Sequence, residues 1–251
     1  MRDGEQKIDE AEAKEILDAM GGRVLMRGFN PKYAFSSILD APNALEILNK
    51  DPFRGKGPAD ENGHRDQSVY LTERKATDKW LREQSGIKNT DRDNPVFFGV
   101  AQYPKQLMMM NSAFASHTMI MPLSVADEKQ WTFTAGDSMG NFYAAHDEKG
   151  LKEKPSDFFL QDNNPEHGTV KNMSQLEKAM DKYPTTAQGE PRNFEAQYWG
   201  PAFDPAAMGG MVFSGGQQIK NTAEVTLGAN AHKEQGVTKS APSAANISPK
   251  L

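Results

Sequence analysis

Residues 193–216, NFEAQYWGPAFDPAAMGGMVFSGG, decide how this chain is read. The stretch predicts a strand carrying Glu195, a turn at Gly200-Pro201, a second turn opened by Asp204-Pro205, and a further strand from Met211 to Phe213. Gly209-Gly210 separates the last two and allows backbone to approach closely. A carboxylate at the mouth of such a turn is placed to face a cleft.

Working outward, the upstream half alternates helices and strands. Asp9–Met20 carries apolar residues at helical spacing and is stopped by Gly21-Gly22. Val24-Leu25-Met26 reads as a buried strand emerging at Arg27-Gly28. Asn30-Pro31 turns the chain, and helices are expected over Lys32–Leu39 and Ala44–Asn49. Asp51–Gln67 is a polar Gly/Pro loop. Ser68–Thr72 (SVYLT) predicts a strand, Glu73–Gln84 a helix, and Pro95–Ala101 (PVFFGVA) a buried strand. Together these imply an α+β fold built on a mixed sheet with flanking helices.

Downstream, Leu107–Met110 with Phe114 is a methionine-rich apolar segment, suited to core or to a contact surface. Gln130–Thr134 and Asn141–Ala145 predict two short strands, and Ser174–Lys182 a short helix. Residues 112–189 read as an insertion where a target would be recognised. The expected organisation is one domain over residues 1–235, followed by a loose tail over 236–251 rich in Ser, Pro, Ala and Lys.

The chain has 251 residues, with 37% hydrophobic and 25% charged residues, 21 Gly and 15 Pro, so loops must be plentiful. The formal net charge of −5 argues against a general nucleic-acid binder. Cysteine is absent, which removes disulfides, thiolate metal sites and a cysteine nucleophile. The five histidines are scattered without zinc-ligand spacing, so no metal is expected. Neither a membrane-length apolar run nor a signal peptide is visible. A soluble protein acting as one copy is the expectation, delivered into a host cell as a bacterial effector without a cleaved leader.

The glutamate strand with its glycine and proline turns resembles the catalytic-glutamate region of bacterial mono-ADP-ribosyltransferase toxins, the cholera-toxin-like branch in particular. Three companion stretches lie upstream in that family's order. Val24–Gly28 is similar to the strand whose arginine holds NAD. Tyr70-Leu71-Thr72, with Ala76 and Trp80 behind, resembles the Ser/Thr strand end that precedes a helix, and Pro95–Ala101 the buried strand after it. The resemblance spans about half of the chain and departs from the family in two places. The serine-threonine-serine triplet is reduced to Thr72, with Ser68 further back, and Asn193 stands where many arginine-modifying toxins carry Glu or Gln.

The resemblance implies an ADP-ribosyltransferase-like split sheet and cleavage of NAD, with ADP-ribose passed to a protein of the host. Arg27 and Gly28 would bind NAD, with Tyr70 against the nicotinamide and Ser68 nearby. Glu195 would stabilise the sugar's developing positive charge, Thr72 would orient it, and no metal is needed. Asn193, a neutral amide, can hold a hydroxyl but cannot deprotonate a guanidinium, so a serine or threonine acceptor is expected. A threonine of ubiquitin is the target known for one effector family of this kind.

Each residue also has a plainer reading. Arg27 would pair with an acid, Thr72 would cap a helix, Trp80 would be core, and Glu195 would be a charge on the solvent face of a strand. An NAD glycohydrolase on the same fold and a non-catalytic interaction protein are the alternatives.

Overall fold

A computed structural model describes residues 8–29, 35–41, 43–46, 67–87, 90–110, 116–146, 166–186, 188–214 and 217–219. Helix α1 (Glu10–Ala19) begins at Asp9, whose side chain accepts from the Glu12 amide at 2.8 Å. It ends at Gly21 and Gly22, both at φ +83°, a backbone that only glycine adopts without strain. The chain then enters β1 (Val24–Phe29). After it come α2 (Gln67–Ser85), β2 (Val96–Ala101), α3 (Pro104–Met110), β3 (His117–Pro122) and β4 (Trp131–Ala135). The rest is α4 (Ser138–His146), α5 (Met173–Lys182), β5 (Phe194–Tyr198), β6 (Met211–Ser214) and β7 (Gln217–Ile219).

The strands form one seven-stranded sheet in the order β4-β5-β2-β1-β3-β6-β7, helices pack against it, and the fold is α+β. Every neighbouring pair is antiparallel. The expected mixed sheet is therefore corrected. Runs of strand and helix in the sequence carry no direction, and here each strand meets only antiparallel neighbours.

Alternation sorts the side chains onto two faces. Leu25, Phe98, Val100, Met119, Phe133, Ala196 and Val212 share one face, which α5 covers with Leu176, Ala179 and Met180. The other face is covered in two halves. Over β1 and β3, helix α1 and Leu107 of α3 bury Val24, Met26 and Ile120. Toward β4, Trp80 and Leu81 of α2 pack on Trp199, with Phe97 and Phe142 beside them.

Several local expectations are corrected as well. Residues 68–72 are the first turns of α2, not a strand. The stripe that α2 turns inward is Tyr70, Arg74, Thr77, Asp78 and Leu81, at helical spacing but mostly polar, so an apolar pattern misses it. Residues 141–145 belong to α4, which starts where Asp137 accepts from the Met139 and Gly140 amides at 2.9 and 3.3 Å. The segment 112–189 supplies β3, between β1 and β6, and β4 at the sheet edge. Within 35–40 there is a short 3-10 turn, Ile38–Asp40, capped by Ser37. The loop over 51–66, the tail over 236–251, and parts of the expected helices at 32–39 and 44–49 lie outside the described residues. Among the described residues no helix is long and apolar enough to cross a membrane.

The quoted stretch folds as a strand, a turn and a strand. At Gly210 an added Cβ would meet Met121 Cγ at 2.7 Å, Pro205 O at 2.9 Å and Ile120 O at 3.0 Å. Two of those three atoms are backbone and cannot swing aside. Gly210→Ala should therefore cost about 1–3 kcal/mol by overpacking, read as a lowered urea midpoint at unchanged slope.

Candidate active site

Polar residues in strand alternation build the site from below. Glu195, Gln197 and Trp199 follow one another on the helix-covered face toward β4, and Thr132 and Thr134 of β4 stand across from Gln197 and Glu195. Trp199 Nε1 donates to Thr132 Oγ1 at 3.0 Å, and Thr132 donates to Gln197 Oε1 at 3.1 Å. Gln197 Nε2 then donates to Thr134 Oγ1 at 3.0 Å and to Glu195 Oε1 at 3.2 Å. The chain of donors ends on the carboxylate, and in a low-dielectric interior each link polarises the next.

Helix α4 closes the site from above. Its first amide, Ser138 N, donates to Glu195 Oε1 at 3.2 Å, so Glu195 and Asp137 both sit at one helix N-terminus, where the dipole favours anions. Helix α2 adds the counter-charge. Arg74, only 6% exposed, donates from Nε to Asp78 Oδ1 at 2.7 Å and from Nη2 to Ser138 Oγ at 3.1 Å. Its guanidinium lies 3.8 Å from the centroid of the Phe97 ring, stacked as a delocalised cation can be. Asp78 Oδ2 and Thr77 Oγ1 are buried without a hydrogen-bond partner among the described residues.

The electrostatics follow from this crowding. Burial pushes the Glu195 carboxyl up to about 7, and the like charge of Asp137 adds to the rise. Arg74 and the hydrogen bonds from Ser138 and Gln197 pull the other way. Burial likewise raises Asp78, to about 6, against its ion pair with Arg74. Tyr70, one turn before Arg74, is raised by burial and feels Arg74, Asp137, Asp78 and Glu195. A carboxyl that titrates near neutrality inside a fixed hydrogen-bond frame can hold or accept a proton at working pH.

The residues singled out in the sequence are brought together only in part. Glu195 and Tyr70 share this cluster. Arg27 does not: it lies one residue past the Met26–Gly99 pair, on the face opposite Glu195, with its guanidinium 5.8 Å from the Phe98 ring centroid. It donates from Nη1 to Phe97 O at 2.7 Å and from Nη2 to Ser36 O at 3.2 Å. Gly28 follows on β1, paired with Thr118 of β3. Thr72 and Ser68 are exposed on α2, where Thr72 Oγ1 donates back to Ser68 O at 2.9 Å. Thr72 neither touches Glu195 nor caps a helix. Asn193 is exposed just before β5, and its carbonyl accepts from the Gly136 amide at 2.8 Å.

Arg74, Asp78, Asp137, Ser138 and Gln197 are the site residues that the sequence reading passed over. The arginine and aspartate four apart on α2 and the alternation Glu195-x-Gln197-x-Trp199 were the signals for them. Among the described residues, no group of three or more metal-ligating side chains gathers to hold a metal ion. Comparison with protein-family models, with curated proteins and with solved structures gave no match.

Proposed function

We propose that this chain is a mono-ADP-ribosyltransferase, cleaving NAD at its nicotinamide–ribose bond and passing ADP-ribose to a serine or threonine hydroxyl of a protein. The observation that carries the reading is Glu195, a carboxylate held by Ser138 N and Gln197 with its ionisation raised to about 7. Loss of nicotinamide leaves positive charge on the sugar, and an anion fixed beside it offsets that charge. Attack by a hydroxyl forms the new bond at the sugar's anomeric carbon. The nicotinamide nitrogen leaves with the electron pair of the broken bond, and the hydroxyl's proton passes to Glu195. A group titrating near neutrality can take it. Arg74 keeps part of the Glu195 population ionised.

The arrangement of strands supports the same reading. β1, with Arg27 and Gly28, and β5, with Glu195, flank β2 directly. β1 pairs with β2 only as far as Met26–Gly99, while it continues along β3 to Phe29. With Arg27 on the face opposite Glu195, NAD would reach its guanidinium with a phosphate, and the Gly28 main chain with the nicotinamide amide, only by passing the end of the β1–β2 pairing at Met26–Gly99. Both named Arg27 bonds go to carbonyls, at 2.7 Å to Phe97 O and 3.2 Å to Ser36 O. The neutral Asn193 beside the glutamate strand suits a hydroxyl acceptor. A hydrolytic reading, with water as acceptor, is favoured by the same near-neutral carboxyl.

Incubation with NAD, alone and with a host-cell lysate, separates these outcomes. The transferase reading expects lysate proteins carrying ADP-ribose on Ser or Thr, mapped by electron-transfer mass spectrometry. Nicotinamide release without labelled protein would leave the hydrolase. Label on arginine would overturn the acceptor, and neither release nor label would overturn NAD cleavage. Arg27→Ala is expected to weaken NAD binding with little loss of Glu195-dependent turnover at saturation.

A further inference from the structure

A groove of about 440 Å³ runs beside α5, lined by Glu166, Thr169, Lys171, Gln175, Lys178 and Lys182 among others. Three of those are lysines and one is an acid, in a chain whose net charge is −5. Lys178 and Lys182 stand one helical turn apart, exposed on the same side of α5, a like-charge spacing that disfavours the helix. The nearby Asp181 is taken by Arg23, so it does not serve them. Lys171 is held with its side chain 6% exposed, donating to Glu166 Oε2 and to Thr169 Oγ1, each at 2.6 Å. An ammonium has three donors, and these bonds use two. Backbone bonds tie Lys171 to Phe133 of β4 in both directions, at 2.8 and 2.9 Å. The groove floor is thereby fixed to the sheet.

Phe133 belongs to the core face of β4, while its neighbour Thr134 faces Glu195. The groove and the Glu195 cluster therefore lie on opposite sides of that strand. A cationic concavity with a fixed floor and two exposed lysines at its rim, Lys182 with its Nζ 5.0 Å from the Tyr183 ring centroid, matches an anion with several oxygens. We propose that the groove binds a phosphate-bearing ligand, with Lys178 and Lys182 on the phosphate oxygens and Lys171 holding the floor. An anion there relieves the Lys178–Lys182 repulsion. This site is independent of NAD cleavage.

Calorimetric titration with inorganic pyrophosphate tests it. Wild type should bind, more weakly as salt rises, and Lys178→Glu/Lys182→Glu should weaken binding at least about tenfold. Both positions are exposed, so the double variant should melt as wild type does. Lys178→Ala/Lys182→Ala, which removes charge without reversing it, should show a smaller loss in the same direction. Glu195→Gln and Arg27→Ala should bind pyrophosphate as wild type does. Absence of binding by wild type at millimolar pyrophosphate, unchanged affinity in the charge-reversed variant, or loss of binding in Arg27→Ala would each overturn the assignment.

Discussion

Replacing Glu195 by glutamine is expected to stabilise the protein at pH 8 and, on the proposed function, to abolish NAD cleavage. Folding raises the Glu195 carboxyl to about 7, so the folded state prefers the proton more strongly than the unfolded chain does. For a raised acid, the stability it contributes is fully present below its unfolded value. That contribution is lost as pH climbs through about 7. At pH 8 the wild type holds an ionised carboxylate in a site that disfavours it. Glutamine keeps the shape, accepts from Ser138 N as the carboxylate does, and carries no charge. The gain at pH 8 should be on the order of 2 kcal/mol after allowing for residual solvent screening, and it should vanish near pH 5. Urea midpoints of the two proteins across that range measure it. Equal midpoints at pH 8 would mean that Glu195 is solvated. A group whose removal stabilises the fold and stops the reaction is kept for function.

Arg74→Met should do the opposite, costing about 3–5 kcal/mol and leaving little folded protein at 37 °C. Arg74 and Asp78 are a buried pair, with side chains 7% and 2% exposed. Removing the cation leaves Asp78 without its partner, with one oxygen already lacking a bond among the described residues. The Phe97 ring also loses its stacked guanidinium. The double variant Arg74→Met/Asp78→Leu should recover much of the loss, because the cost lies in the orphaned charge. Whatever folds should titrate Glu195 higher still, since Arg74 is the charge that lowers it. Thermal melts of the single and double variants check both statements, and a mild single variant would show that water reaches Asp78.

The glutamate strand is legible from its alternation of apolar and polar residues ahead of a Gly-Pro turn, and β1 from a short apolar run that meets a charge and a glycine. α2 was cut in two for a physical reason. Its inward stripe is Tyr70, Arg74, Thr77 and Asp78, and a reading that looks for apolar spacing sees the β-branched SVYLT run instead. α4 was taken for a strand because NFYAA is apolar and short, while its start signal, the Asp137 cap, lies four residues earlier. Glu195 was found through its own strand. Arg74, Asp78, Asp137 and Ser138 come from one helix and the start of another, which meet Glu195 only in three dimensions, whereas Gln197 stands two residues along the same strand. Val24–Met26 is strand as expected, but the strand continues through Arg27 to Phe29, and which face Arg27 takes depends on register with β2, which is not visible in a single strand.

Nicotinamide release against pH, with NAD subsaturating, tests the role of ionised Glu195 most directly. The account predicts kcat/KM rising about tenfold per pH unit below a midpoint near 7 and level above it, with Glu195→Gln inactive throughout while folded. A pH-independent rate, or a Glu195→Gln protein that releases nicotinamide as fast as wild type, would contradict it.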